Sequence, residues 1–280
     1  MTNYRKFSNV DFFYHRDDDI ITKKDGFRAH YHNLFEIYFI TKGTCTYFID
    51  NKVYDLIPGD VVLIPEGVIH DTKYNSAKHS RMLINCSLKY IPSCLGPAIN
   101  NMLYLYRNPN LYDDIYKIFS DIEKEYNKPD ELTDDIFVCY VNLLFFTLVR
   151  NENFCKKLKG GSDFVQNALE YVQNNFNDDI SLTSVAQIFN VSPEHLSRTF
   201  KKQTGFGFNK YLTLLRLKEA ETLLKETSLA INEVASRSGF SDGNYFSLLF
   251  KKFHGLSPKE VRRNFRKLNS TNQPKKPEDK

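Results

Sequence analysis

Two stretches of this 280-residue sequence resemble each other: SVAQIFNVSPEHLSRTFKKQTG (184–205) and EVASRSGFSDGNYFSLLFKKFHG (233–255). Each contains Val-Ala, then an apolar residue followed by Ser, and then an apolar residue followed four positions later by Phe-Lys-Lys-x-x-Gly. The second copy has one extra residue after its Ser. Self-similarity of this kind indicates a duplicated structural unit, and it decides how the C-terminal part of the chain folds.

Each copy predicts a short helix, a tight turn and a second helix. Asn190 and Gly239 occupy the turn, where a left-handed backbone is easiest to adopt. Ser192 and Ser241 are predicted to cap the second helices. A single copy would fit a plain helical bundle with solvated lysines equally well, but two matching copies favour a double helix-turn-helix. Apolar residues one turn apart are predicted to anchor the second helices, namely Leu196 with Phe200 and Phe246 with Phe250.

The second helix of a helix-turn-helix unit lies in the major groove of DNA. Arg pairs with guanine edges, Asn pairs with adenine edges, and Lys contacts phosphates. A long helix predicted at 208–224 would hold the two recognition helices about one DNA turn, roughly 34 Å, apart. Between 162 and 268 there are 15 Lys and Arg against 11 Asp and Glu, which accounts for the whole formal net charge of +4. The predicted DNA-facing residues are Glu194, Ser197, Arg198, Lys201 and Lys202 in the first unit, and Asn244, Ser247, Leu248, Lys251 and Lys252 in the second.

From Phe164 to Arg263 the sequence resembles the AraC/XylS family of bacterial transcription regulators. The most specific part is GFSDGNYFSLLFKKFHGLSPKEVRR (239–263). The resemblance implies base contacts from six positions, which are Glu194, Ser197 and Arg198 in the first unit and Gly243, Asn244 and Ser247 in the second. Leu248 departs from the family, because many relatives carry a basic or polar residue there.

Residues 26 to about 90 predict short strands separated by turns, which favours a small β-barrel. Within them, GFRAHYHNLFEIYFITKG (26–43) and GDVVLIPEGVIH (59–70) resemble the two cupin motifs. In a strand, His30, His32 and Glu36 would point the same way, into the barrel. His70 follows the second Pro-Gly turn.

Three functions remain open for these polar residues. Three imidazoles and a carboxylate fit a divalent transition metal. Alternatively, the resemblance to AraC-type sensors implies a small effector, frequently a sugar, bound without metal. The side chains could also simply satisfy buried polar partners. The effector reading is preferred, with no cofactor expected and a divalent metal left open. The predicted effector-binding residues are Arg28, His30, His32, Glu36, Tyr38 and His70.

Residues 111–150 show helical periodicity, including a stripe of Ile115, Ile118, Phe119 and Ile122. These helices are predicted to form a homodimer surface, and packing against the barrel is an equal alternative for any one residue. An N-terminal arm at 12–14 is predicted to cover the pocket, as the family resemblance implies. The predicted interface residues are Val141, Leu144, Phe145 and Leu148.

The predicted fold is an α+β two-domain chain, with a cupin-like barrel and a helical dimerisation segment followed by an all-α domain with two helix-turn-helix units. The boundaries are 1–95 for the barrel, 96–158 for the dimerisation segment, 159–268 for the DNA-binding domain and 269–280 for a disordered tail. Between the two domains, 156–162 is predicted to be a linker.

The predicted function is a ligand-responsive, sequence-specific regulator that acts as an activator of sugar or related metabolic genes. The predicted partners are double-stranded DNA, an effector, a second copy and RNA polymerase, with no membrane. The alternative is a metal-dependent cupin enzyme, a dioxygenase or isomerase, fused to a DNA-binding module; the sequence shows no phosphate loop or nucleophile elbow to support it. Five scattered cysteines and the lack of a signal segment favour the cytoplasm.

Overall fold

A computed structural model describes residues 11–21, 29–95, 104–151 and 163–271 of the chain, without the side chains at 95, 163 and 268–271. Arg28 and the predicted linker at 156–162 lie outside these residues, as does the tail from 272 onward.

The N-terminal part is built from antiparallel strands in two sheets. One sheet has the order β1-β7-β2-β5-β8 and the other β4-β3-β6. The strands are β1 (Phe12–Ile21), β2 (Phe35–Lys42), β3 (Cys45–Ile49), β4 (Lys52–Leu56), β5 (Val61–Ile64), β6 (His70–Tyr74), β7 (Lys78–Cys86) and β8 (Leu105–Tyr106). Asp50 and Asn51 both have positive φ, 43° and 67°, which lets β3 reverse into β4 at the predicted turn.

Side chains from both sheets meet in one apolar cluster. Tyr38 and Ile40 of β2 pack with Cys45 and Tyr47 of β3, and all four are buried. Because side chains alternate along a strand, the other face of β2 carries Phe35, Ile37 and Phe39 away from this cluster. The predicted cupin-like arrangement of strands is confirmed, and β2 has a partly polar inner face and an apolar outer face.

Residues 12–14 are not an arm over the pocket, so that prediction is wrong. They begin β1, which pairs with β7 from Phe12 opposite Cys86 onward. Phe12 stacks on Phe137 with ring centroids 4.0 Å apart, and Tyr14 is 6% exposed in the same core. Residues 12–14 therefore belong to an edge strand. The side chains of Phe12 and Tyr14 are buried on its helix-facing side.

Two helices, α1 (Tyr112–Asn127) and α2 (Thr133–Arg150), cover the outer face of the larger sheet. The predicted stripe of α1 is confirmed, since all four of its apolar residues are buried. The four residues of α2 predicted to form the dimer surface are 0–2% exposed in the core of their own chain, so that assignment is wrong. They are Val141, Leu144, Phe145 and Leu148. The apolar residues that α2 exposes are Leu143 (52%) and Phe146 (39%).

The C-terminal part is helical in all the residues that the structure describes. Its helices are α3 (Asp163–Asn175), α4 (Leu182–Ile188), α5 (Pro193–Thr204), α6 (Phe208–Glu226), α7 (Ile231–Arg237), α8 (Gly243–His254) and α9 (Pro258–Thr271). The predicted long helix is confirmed as α6. Helix α9 runs three residues beyond the predicted end at Leu268.

The described residues divide into two compact units. One contains residues 11–167 and 197–207, and the other contains 168–196 and 208–271. The boundaries proposed from the sequence at 95 and 159 remain predictions. In the described part of the chain, none of the helices is long and apolar enough to cross a membrane.

Candidate functional site

The first helix-turn-helix unit consists of α4, a turn at Asn190 and α5. Asn190 has a φ of 53°, the predicted left-handed conformation. The Ser192 hydroxyl accepts a hydrogen bond from the backbone N–H of His195 at 3.1 Å, so the predicted cap is confirmed. Leu196 and Phe200 are fully buried, which leaves the opposite face of α5 in solvent. The predicted DNA-facing residues Glu194, Ser197, Arg198, Lys201 and Lys202 are all exposed.

The second helix-turn-helix unit has the same order of elements, namely α7, a turn at Gly239 and α8. Gly239 has a φ of 84°, again the predicted left-handed turn. The carboxylate of Asp242 accepts hydrogen bonds from the backbone N–H groups of Asn244 (2.7 Å) and Tyr245 (2.9 Å). Asp242, and not the predicted Ser241, therefore caps α8. The extra residue in the second copy moves the start of the helix by one position.

The exposed face of α8 is also defined by two buried anchors, Phe246 and Phe250. Asn244, Lys251 and Lys252 are exposed, as predicted. Gly243 and Ser247 are only half-exposed, and the Ser247 hydroxyl donates to the carbonyl of Gly243 at 2.9 Å. A Cβ at position 243 would lie 2.7 Å from Oδ1 of Asn232. A larger residue at position 243 would therefore displace the side chain of Asn232 in α7.

A cationic stripe on α9 was not identified from the sequence. Its five side chains recur at helical spacing and surround a surface cavity of about 690 Å³ beside the start of α7. They are Lys259, Arg262, Arg263, Arg266 and Lys267. No acidic residue lines this cavity, and Nη2 of Arg262 is buried without a hydrogen-bond partner among the described residues. The i, i+3, i+4, i+7 and i+8 recurrence of Lys and Arg was the available signal.

The barrel brings together four of the six predicted effector residues. His30 and His70 form an antiparallel bridge, with backbone N–H to carbonyl distances of 3.0 and 2.9 Å. The ring centroid of His70 lies 4.3 Å from that of His30 and 4.9 Å from that of His32. Glu36 lies beside them, with Oε2 at 3.2 Å from Nε2 of His32 and 3.8 Å from Nε2 of His70.

The tautomer of His70 follows from its backbone contact. Its Nδ1 lies 2.8 Å from the carbonyl of Val68, and a carbonyl can only accept, so Nδ1 carries the hydrogen. Burial is the main cause that lowers the pKa of His70, to about 3, and the ring is therefore neutral near pH 7. Its Nε2 is then a buried lone pair that no described residue hydrogen-bonds.

A similar constraint acts on His32. Its Nδ1 is 2.8 Å from the carbonyl of Leu34 and its Nε2 is 3.2 Å from Glu36. A neutral ring can donate to only one of these two acceptors.

Two buried acceptors near Glu36, Nε2 of His70 and Oδ1 of Asn85, have no hydrogen-bond donor among the described residues. Oε1 of Glu36 accepts from the hydroxyl of Tyr47 at 2.6 Å, and Asn85 lies directly opposite Glu36 in the strand register. Asn85 is 1% exposed, and its Oδ1 is buried without a partner. Unsatisfied buried acceptors are costly, so this cluster fits a ligand that brings hydrogen-bond donors or positive charge.

Asn85 and Tyr47 were missed from the sequence, and Tyr38 has a different setting from the one predicted. Asn85 alternates with Ile84 and Cys86, and a polar residue on that face of an apolar strand was the available signal. Tyr38 does point into the barrel, but its hydroxyl donates to that of Tyr74 at 3.3 Å, away from the histidine cluster.

The donor set also fits a divalent metal in its chemistry. The candidate ligand atoms of His30, His32 and His70 all lie within 4.8 Å of one another. Backbone carbonyls orient two of these rings through Nδ1, as in many metal sites. Two nitrogens bound to one metal at about 2.1 Å lie no more than about 4.2 Å apart, so at most a small side-chain movement separates this arrangement from a metal site.

Comparison with known proteins agrees with this two-part construction. Residues 19–137 match the family model of the AraC-like ligand binding domain, and residues 185–264 match that of a helix-turn-helix domain. The transcriptional activator RhaS of Escherichia coli (strain SE11) is 24% identical over 248 residues, which are 84% of this chain and 87% of RhaS.

Two solved structures match this chain over 37% and 91% of its length. The C-terminal domain of AraT, a response regulator from Geobacillus stearothermophilus, is 43% identical; the match covers 37% of this chain and 86% of that one, with a TM-score of 0.36. ToxT from Vibrio cholerae is 15% identical; the match covers 91% of this chain and 98% of that one, with a TM-score of 0.38.

The ligand-binding model covers the barrel with its polar interior, and the helix-turn-helix model covers the part that contains α5 and α8. Both matched domains belong to regulators and not to enzymes, so the cupin-enzyme alternative is set aside. The chain belongs to the AraC/XylS family, as a ligand-responsive, DNA-binding transcription regulator.

Proposed function

We propose that this regulator reads promoter DNA through the exposed faces of α5 and α8 and responds to a small molecule held at the Glu36 cluster. The observation that carries the DNA part is the pair of matching recognition helices. In each, two fully buried anchors leave the opposite face in solvent, and that face carries exposed lysines in both helices. Arg198 would pair with a guanine edge and Asn244 with an adenine edge, while the lysines contact phosphates.

The effector is proposed to be a polyhydroxylated molecule such as a sugar. Its hydroxyls would donate to Nε2 of His70 and to Oδ1 of Asn85, which lack donors among the described residues, and to the carboxylate of Glu36 beside them. His30 and His32 would complete the polar side of the binding site. The rings of Tyr38 and Tyr47 would supply apolar contact. If a divalent metal binds, the three histidines and Glu36 would hold it, and it would supply positive charge to this set of acceptors.

Regulation follows if the effector favours one arrangement of the paired DNA-binding domains over another. We propose that the protein activates transcription together with RNA polymerase, because its relative RhaS is named an activator. Reading promoters places it in the bacterial cytoplasm. Cys45, Cys86, Cys94 and Cys139 are free thiols, which agrees with a reducing compartment.

A second copy of this chain is the proposed partner of the α1–α2 surface. Leu143 and Phe146 are exposed on α2, and Leu143 borders a groove of about 380 Å³ between the two helices. The groove also carries both signs of charge, from Asp114, Lys117 and Asp121, which suits self-association.

Substitutions in α5 test the DNA assignment. Arg198→Ala is expected to cost about 1–3 kcal/mol on a duplex enriched from a random library and little on random DNA, because a base contact is lost. Lys201→Ala is expected to weaken both duplexes alike and to lower the salt slope by about one, because a phosphate contact is lost. Titrations at several KCl concentrations measure both effects. Lys124→Ala, at an exposed lysine of α1, is the charge control. Equal losses on both duplexes for both variants would contradict the assignment.

Leu143→Asp tests the dimer surface. The wild-type protein is expected to sediment as a dimer at micromolar concentration. The variant is expected to raise the dimer dissociation constant at least about tenfold, because a buried, unpaired carboxylate is costly. Ile57→Asp makes the same change at an exposed position on the barrel and should leave the dimer intact. A monomeric wild type, with and without DNA, is the result that rules this surface out.

Glu36→Gln and Asn85→Ala test the effector cluster. A thermal-shift panel of monosaccharides is expected to contain one that stabilises the wild type, by about 2.7 kcal/mol at 100 times its Kd. Both variants should lose this stabilisation while keeping DNA affinity, and His15→Ala, at an exposed histidine of β1, should not. Metal content is measured on the same samples. A wild type with one tightly held metal per chain, and variants that lose the metal but still respond to the sugar, would show that these residues serve another purpose.

A further inference from the structure

Two apolar side chains are exposed on the second recognition helix. Leu248 is 68% exposed and Tyr245 is 58% exposed, whereas Phe246 and Phe250 on the other side of α8 are fully buried. Covering a solvent-exposed leucine with an apolar partner lowers the free energy of the system. Leu248 lies on the helix face that the double helix-turn-helix presents to DNA, so its partner should be an apolar group in the major groove.

Helix geometry places Leu248 at the centre of this face. At about 100° per residue, Leu248 lies about 180° from the midpoint between Phe246 and Phe250. Arg198 has the same relation to Leu196 and Phe200 in α5. The two copies therefore put different residue types at the same central position, arginine in the first unit and leucine in the second.

The neighbours of Leu248 have complementary chemistry. Asn244 lies one turn earlier and is exposed, and the exposed Lys251 and Lys252 lie within the next turn. Asparagine pairs with the N6 and N7 edge of adenine, and lysines contact the flanking phosphates. In the major groove an A·T pair presents the adenine edge together with the 5-methyl group of thymine, which is the apolar feature of that groove.

We propose that Leu248 reads the 5-methyl group of a thymine, so that the second unit selects A·T pairs while Arg198 makes the first unit select guanine. This inference rests on the proposed DNA-reading role of α5 and α8, and it adds the base that each unit prefers. The apolar residue at position 248 thus changes the specificity of the second unit and does not remove it.

Uracil substitution tests the methyl contact directly, because deoxyuridine lacks only the 5-methyl group. The full-length protein selects a site from a randomised duplex library, and each thymine of that site is then replaced singly by deoxyuridine. One replacement is expected to weaken wild-type binding about fourfold, the effect of one apolar methyl group returned to water. Leu248→Ala should bind the two duplexes equally. Leu248→Met keeps an apolar side chain and should retain the discrimination.

Leu132→Ala, at an exposed leucine just before α2, is the control and should behave as wild type. The proposal is overturned if no thymine shows a larger methyl effect with wild type than with Leu248→Ala. A Leu248→Ala variant that selects the same site as wild type also overturns it, and would assign the leucine to a protein contact. If the wild type enriches no sequence at all, the proposed DNA-reading function fails as well, and that outcome is distinct from a selected site without methyl dependence.

Discussion

Each helix-turn-helix unit depends on two features. Two buried side chains lie one helical turn apart on its second helix, and one left-handed residue lies in the turn before that helix. Leu196 with Phe200, and Phe246 with Phe250, determine which side of the recognition helix faces the core. Asn190 and Gly239 determine the angle at which that helix leaves the turn. Gly239 has no alternative, since a Cβ there would lie 2.7 Å from the carbonyl oxygen of Phe176. Because these contacts all involve the buried side of the helix, residues on the exposed side can vary without loss of the fold.

This separation explains how one duplicated unit can carry two specificities. Both copies have two buried apolar anchors and one left-handed turn residue, while the central exposed position is arginine in one and leucine in the other. A similar division holds in the barrel. The outer face of β2 is wholly apolar and packs against α1 and α2, and its inner face carries Glu36 among unsatisfied acceptors. In both domains, an apolar face supports a chemically specific one.

Periodicity and turn chemistry were sufficient to predict most of the fold. The repeat, both left-handed turns, the anchors and the long α6 could be predicted because each depends on local spacing. The Ser241 cap could not, because one inserted residue moves the helix start to Asp242. The dimer face of α2 was also misplaced. A helix with apolar residues all round does not indicate which side the sheet covers, and the sheet covers the side of Val141.

The candidate site was also predicted only in part, because some of its contacts depend on strand register and not on local spacing. His30, His32, Glu36 and His70 belong to spaced motifs, so their proximity could be predicted. Asn85 comes from β7, and its place opposite Glu36 depends on a strand register that no local motif specifies.

The proposed function requires one chain to read DNA with both of its helix-turn-helix units. Hydroxyl-radical footprinting of the full-length protein on its selected duplex tests this most directly. Two protected segments per protomer, about one helical turn apart on one face of the DNA, are the expected result. A single protected segment per protomer would contradict it, because one of the two recognition helices would then lie off the DNA.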